Sequence, residues 1–194
     1  MRKTGILFML FLMCFFAGCR KEEISDRESI EVKKGGTIVE TVRESFGEEY
    51  YSEKELKEFI KTEISAYNSS FDKEHIKLNS CDVKDSMAVV TMTYDSSSDY
   101  VAFNDMELFA DDLSSLIGTE YHGYVELKDS EGESVSLSNI IASGDSYKVL
   151  VVTQDCDVKV SGKIIYVSDG VEILSGKTAD VTISDEASAY IINK

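Results

Sequence analysis

From Tyr121 to its C-terminus, this chain alternates short runs rich in Val, Ile and Thr with small turn residues. Gly162, Asp169–Gly170 and Gly176 separate four of these runs, a spacing that is typical of short strands. The chain contains no Pro, so its turns depend on Gly, Asn, Asp and Ser. This pattern limits the fold more than any other feature. It predicts a compact sheet or small sandwich, and therefore a β-rich part over residues 121–194.

One amphipathic helix is predicted upstream, from Glu53 to Tyr67. Ser52 suits the N-cap position, and Glu55 three residues later completes a capping box. The apolar residues at helical spacing are Leu56, Phe59, Ile60, Ile64 and Tyr67. They form one stripe, as in a helix that packs on a core. A helix lying on a membrane would have a polar face rich in Lys and Arg, whereas Glu is equally abundant here.

Three further segments predict strands and turns. Residues 37–46 alternate loosely between two glycine positions and predict a strand. Residues 75–94 predict an antiparallel hairpin that turns near Lys84–Asp85. Residues 100–118 are ambiguous, because the apolar positions 106, 109, 110, 113 and 117 fit a helix, whereas residues 100–110 fit a hairpin with Asn104–Asp105 as the turn. We expect the hairpin, followed by a short helix from about Asp112 to Ile117 that Gly118 closes.

These elements predict an α+β fold. One amphipathic helix packs on an antiparallel sheet, and a β-rich C-terminal part follows. The α+β part covers residues 37–120 and the β-rich part residues 121–194, either as one domain or as two small ones packed together.

The N-terminus contains a basic pair, an apolar run and a cysteine in that order. Arg2–Lys3 precede the apolar run Gly5–Gly18, which is shorter than the roughly 20 residues that a membrane-spanning helix needs. Phe16–Cys19, "FAGC", resembles the lipobox of bacterial lipoproteins, with Phe where Leu is usual. The resemblance implies a signal peptide over residues 1–18, cleavage before Cys19, and a diacylglycerol with acyl chains such as palmitate on the Cys19 thiol. The alternatives are an ordinary secretory signal with a chance cysteine, or an uncleaved short anchor.

Residues 19–36 are dense in charge and poor in large apolar side chains, and they end on Gly35–Gly36. Segments of this composition bury too little surface to order themselves. They predict a flexible charged stalk between a lipid anchor and the folded part.

The chain is strongly acidic, with a formal net charge of −16. Removal of Arg2 and Lys3 with the predicted signal peptide lowers the charge of the mature chain to −18. Such a chain repels nucleic acid and anionic lipid. We therefore expect no nucleic-acid partner, and contact with the membrane only through the lipid on Cys19.

Two cysteines, Cys81 and Cys156, remain after the predicted signal and anchor are set aside, and both begin the tetrapeptide "CDVK". They fit a disulfide that closes a long loop. They also fit two buried free thiols, because Cys packs like a small apolar residue. Composition favours the free thiols.

Two motifs of common extracytoplasmic enzymes, GxSxG and HExxH, are absent from the sequence. His75 at a strand start and His122 in a turn are the two histidines, and neither belongs to a motif. A triad whose members meet only in the fold remains an alternative. The sequence thus assigns no catalytic residue, and a binding module is favoured over an enzyme.

Acidic clusters and tyrosines are the remaining candidates for ligand contacts. Asp155–Asp157 and Asp129–Glu133 lack the ligand rhythm of a calcium loop and predict solvated turns, so no metal ligand and no cofactor is assigned. Four tyrosines suggest a sugar-binding or partner-binding patch: Tyr50, Tyr51, Tyr121 and Tyr124. The absence of Trp speaks against a carbohydrate platform.

The runs "YVAFND…LFA", "VKVSGKIIYVSDGVEI" and "AYIIN" resemble small uncharacterised lipoproteins of gut-dwelling Firmicutes. That resemblance implies location and architecture and carries no site. The expected protein is therefore a membrane-anchored extracytoplasmic lipoprotein, a binding or interaction module for a protein or small molecule. The alternatives are an extracytoplasmic enzyme and a structural accessory lipoprotein of the envelope.

Overall fold

The computed structural model describes residues 27–48, 51–184 and 188–194. The predicted signal peptide, Cys19 and Tyr50 lie outside these residues. Within them the predicted α+β class is confirmed, with three α-helices and two sheets of seven and six strands. The fold is therefore richer in sheet than the predicted single helix on a single sheet.

The helices are α1 (Glu53–Asn68), α2 (Ser97–Asn104) and α3 (Leu137–Ala142), and a 3₁₀ turn covers Leu113–Leu116. The strands are β1 (Ser29–Val32), β2 (Ile38–Ser45), β3 (Ile76–Lys84), β4 (Met87–Tyr94), β5 (Leu108–Asp112), β6 (Glu126–Asp129), β7 (Ser134–Ser136), β8 (Lys148–Val152), β9 (Cys156–Val160), β10 (Ile164–Val167), β11 (Val171–Ile173), β12 (Thr178–Val181) and β13 (Ala189–Asn193).

The seven-stranded sheet has the order β11-β12-β9-β1-β2-β4-β3, and the six-stranded sheet has the order β5-β8-β13-β10-β6-β7. All neighbouring strands are antiparallel except β1 and β9, which run parallel. Each sheet takes strands from both sides of position 120. That position therefore does not separate two sheets.

The two sheets enclose the main core. Ile38 and Val158 of the seven-stranded sheet share one buried cluster with Leu150 and Ile191 of the six-stranded sheet, and Ile64 of α1 belongs to it as well. A second cluster lies on the other face of the six-stranded sheet, beneath α3 and the 3₁₀ turn. Because successive side chains of a strand point to opposite faces, β8 and β13 are buried on both sides.

Helix α1 confirms the sequence prediction to within one residue at its C-terminal end. The Ser52 hydroxyl accepts a hydrogen bond from the Glu55 N–H, as the predicted capping box requires. Of its apolar stripe, Ile64 is buried, while Leu56, Ile60 and Tyr67 are partly buried against the main core.

The predicted strand over 37–46 and the predicted 75–94 hairpin are confirmed as β2 and as β3 with β4. The predicted hairpin around Asn104–Asp105 is wrong, because residues 97–104 form α2. Ser96 caps this helix, and Asp105 ends it in the left-handed region with φ 52°. The predicted helix over 112–117 is a 3₁₀ turn.

The part predicted to be β-rich contains a hairpin around Asp129–Gly132, formed by β6 and β7. Residues 137–142 lie in the part predicted to be β-rich, but they form α3. Ser136 accepts a hydrogen bond from the Asn139 N–H and so starts this helix directly at the end of β7.

The prediction of a flexible stalk is wrong for residues 29–32, which form β1 between β2 and β9. Ile30 is only 1% exposed. A strand of four residues needs only one or two inward apolar side chains, so the high charge of this segment does not prevent it from pairing.

Both Cys81 and Cys156 are free and buried, as composition favours. Burial raises the pKa of the Cys156 thiol to about 12 and also raises the pKa of Cys81. Each thiol therefore packs as a small apolar group.

Candidate functional site

Helices α1 and α2 lie on the same side of the seven-stranded sheet and leave a groove between them. We call it the interhelical groove. Its cavity has a volume of about 480 Å³ and is lined by Phe59, Ile60, Glu63, Ala66, Tyr67, Met92, Ala102 and Phe103. Glu63 is the one charged residue of that lining. A concave, mostly apolar surface with few polar groups is the usual character of a ligand site.

Phe59 stands at the rim of the groove with 63% of its surface exposed. It belongs to the predicted apolar stripe of α1, but it lies at the edge of that stripe, where the core does not cover it. At 100° per residue, Phe59 is turned about 100° away from Ile60, which packs against the core. The sequence therefore predicts its helical spacing correctly and its burial incorrectly.

The charges of α1 divide between its two flanks. The flank towards α2 carries Glu55, Phe59, Glu63 and Ala66, and the opposite flank carries Lys54, Lys57 and Lys61. Lys61 lines a cavity beside β3, whereas Glu63 lines the interhelical groove. The groove side of the helix is thus acidic and apolar, and the β3 side is basic.

Helix α2 is anchored by polar contacts at both ends, although it has almost no apolar stripe. At its N-terminus Ser96 and Asp99 form a reciprocal cap. The Ser96 hydroxyl accepts from the Asp99 N–H at 3.2 Å and donates to Asp99 Oδ2 at 2.5 Å. This Ser-x-x-Asp pattern is the sequence signal that identifies α2.

Asp99 also connects α2 to α1 and to the start of β3. It is 6% exposed, and its Oδ1 lies 2.8 Å from His75 Nδ1 and 3.0 Å from Tyr67 Oη. Burial would raise the pKa of Asp99, but the hydrogen bonds from Ser96, His75 and Tyr67 outweigh burial and hold it below its ordinary value. Because an ionised carboxylate only accepts, His75 carries a proton on Nδ1.

This histidine–carboxylate pair resembles the orienting half of a triad, but its other contacts are structural. The Ser96 hydroxyl donates to Asp99 and not to His75. The Phe71 ring stacks on the imidazole with 4.0 Å between ring centroids. The pair therefore holds α2 in place, and this geometry does not activate a nucleophile.

A second carboxylate holds the C-terminal end of α2. Glu40 of β2 is 5% exposed and faces the core between Ile38 and Val42. Tyr94 Oη donates to its Oε2 at 2.7 Å, Tyr100 Oη to its Oε1 at 3.1 Å, and Asn104 Nδ2 to Oε2 at 3.3 Å. Burial raises the pKa of Glu40, and these hydrogen bonds reduce that rise.

The larger cavity beside β3 has a volume of about 790 Å³ but a different character. Its charged lining residues are Lys61, Asp72, Lys73, Glu74 and Lys77. The Asn68 side chain there is already engaged, because it pairs with both the N–H and the C=O of Ile76. A solvated, mixed-charge surface of this kind is a weaker ligand site than the interhelical groove.

The other candidate residues named from the sequence do not lie together in the fold. His122 is exposed in a turn, and Asp155 accepts a hydrogen bond from the Ile183 N–H. Tyr51 stacks on Phe46, whereas Tyr121 packs near Phe109. Tyr124 is 88% exposed. These tyrosines have different neighbours and do not form the predicted patch.

Two further features concern the described residues. Among residues 27–48, 51–184 and 188–194, no three His, Cys, Asp or Glu side chains converge as metal ligands would. No helix within the same residues is both long and apolar enough to span a membrane.

No protein-family model matches the chain, and comparisons with curated proteins and with solved structures give no significant match. The interhelical groove is therefore assigned on its geometry alone.

Proposed function

We propose that this protein is a lipid-anchored binding module on the extracytoplasmic face of a bacterial cell membrane, and that it binds its ligand in the interhelical groove. The observation that carries the binding role is Phe59, a large apolar side chain that stands exposed at the rim of an apolar groove. Exposed apolar surface next to a concave site is typical of a binding surface.

The anchor is supported by the order of basic pair, apolar run, small residues and Cys19 in the sequence. A single acyl chain holds a protein only marginally, so a stable anchor needs the two chains of a diacylglycerol. The first described strand begins at Ser29, ten positions after Cys19 in the sequence.

Metabolic labelling with palmitate tests the anchor. We expect labelled wild type and unlabelled Cys19→Ala. Equal labelling of the two proteins would contradict the lipobox interpretation.

Photo-crosslinking in intact cells tests the groove. A benzophenone amino acid at position 59 should give a discrete adduct, whereas the same group at Ile117, which is also exposed, should not. If position 59 gives no adduct, or if both positions give the same adducts, the groove is not the binding surface.

A further inference from the structure

The rim of the interhelical groove combines an aromatic ring with a carboxylate. Phe59 and Glu63 are four residues apart on α1, so their Cβ atoms lie about 5–6 Å from each other. Both line the groove, and both side chains are exposed. A cation placed between them would contact the face of the ring and the carboxylate together, and these two interactions favour the same charge.

The surroundings of the groove select against anions. The next residue along the same flank, four positions before Phe59, is Glu55. The lysines of α1 lie on the opposite flank, towards β3. The whole chain adds a formal charge of −16, which attracts cations and repels anions at long range.

The length of the groove fits a short stretch of polypeptide. Its lining residues on α1 run from Phe59 to Tyr67, which is about 12 Å at 1.5 Å per residue. An extended chain covers that distance with about four residues. The floor, formed by Ile60, Met92 and Phe103, is apolar and receives apolar side chains.

We infer that the ligand of this groove is a short linear peptide segment that carries apolar side chains together with Lys or Arg. The apolar side chains lie on the floor between the helices, and the cationic side chain lies between Phe59 and Glu63. This inference rests on the proposed function, because it specifies the ligand of the same groove.

Fluorescence anisotropy with three synthetic peptides tests the inference. The peptides share the same Leu and Phe positions and carry Lys, Glu or Ser at all others. The protein is the full chain in zwitterionic nanodiscs. We expect the Lys peptide to bind at least about tenfold more tightly than the Glu peptide, and added salt to weaken its binding.

Two variants and two matched controls separate the groove from the net charge. Phe59→Ala and Glu63→Lys should each weaken binding of the Lys peptide about tenfold or more. Glu58→Lys makes the same charge change on the solvent side of α1, and Ile117→Ala truncates an exposed apolar side chain elsewhere. Both controls should stay within about twofold of wild type.

The results distinguish a failure of the cationic-peptide inference from a failure of the proposed binding groove. If the Ser or Glu peptide binds as tightly as the Lys peptide and depends on Phe59, the cationic ligand is excluded and the binding groove stands. If Glu58→Lys weakens binding as much as Glu63→Lys, the peptide senses only the net charge, and the inference fails. If no peptide binds in a Phe59-dependent way, both the inference and the proposed groove fail.

Discussion

Glu40 lies among the apolar side chains between the two sheets, and both of its carboxylate oxygens accept hydrogen bonds. From the sequence its position can be predicted, since it alternates with Ile38 and Val42 in a strand. Its partners Tyr94, Tyr100 and Asn104 cannot be predicted, because they come from β4 and from α2, where the sequence predicts a hairpin.

Glu40 makes stability depend on pH. Its folded pKa is raised above the ordinary value of 4.5, so the folded state binds more protons than the unfolded state between those two values. The contribution of Glu40 to stability is therefore greatest below about 4.5 and falls as pH rises through the folded pKa. In Glu40→Gln this loss is absent, so the stability of the variant relative to wild type should increase from pH 4.5 to pH 7. Urea unfolding of both proteins at several pH values measures this, and a constant difference would contradict the raised pKa.

The two thiols should be unreactive in the folded protein. Burial raises the pKa of Cys156 to about 12 and that of Cys81 above its ordinary value, so almost no thiolate forms at neutral pH. In a chain that begins at Arg27, a thiol reagent should modify neither residue until denaturant is added, and a reductant should leave the melting temperature unchanged. Rapid modification of either cysteine without denaturant would show that it is accessible.

At the scale of elements, α1 and α2 illustrate where the sequence is informative. Helix α1 has a capping box and an apolar stripe, which agree with each other, and it is predicted almost to the residue. Helix α2 has only its Ser96-x-x-Asp99 cap, while Asn104–Asp105 imitates a hairpin turn. Contacts from Asp99, Tyr100 and Asn104 to other elements hold the helix in place, and these contacts are not visible in local sequence.

The cap of α2 should be important for stability. Ser96→Ala removes the acceptor of the Asp99 N–H and a donor to a nearly buried carboxylate, so we expect a loss of about 1–2 kcal/mol. The control is Ser98→Ala, at an exposed position that takes part in neither of these two hydrogen bonds. It should cost less than about 0.5 kcal/mol. Urea denaturation measures both, and equal effects would mean that the cap does not stabilise α2.

At the scale of the whole molecule, only part of the architecture can be predicted from the sequence. The α+β class follows from the sequence, whereas the two-sheet arrangement depends on long-range pairs such as the parallel one between β1 and β9. No local pattern specifies that pair. The interhelical groove likewise depends on α2. The sequence therefore predicts that Phe59 lies on α1, but it does not predict the groove that Phe59 lines.

The large negative net charge of the chain should prevent binding to polyanions. A chain with a formal net charge of −16 is repelled by DNA, RNA and anionic vesicles, and the repulsion is screened beyond about 8 Å at physiological salt. We expect no flotation of the lipid-free chain from Arg27 with anionic vesicles at low or high salt. Flotation that salt reverses would reveal a basic face.

Mapping of the bound peptide by NMR tests the central claim most directly. In a titration of the isotope-labelled chain from Arg27 with the Lys peptide, the largest amide shifts should fall on residues 59–67, 102 and 103, on both walls of the interhelical groove. Shifts centred on the β3 side of α1, or spread evenly over the acidic surface, would contradict the account.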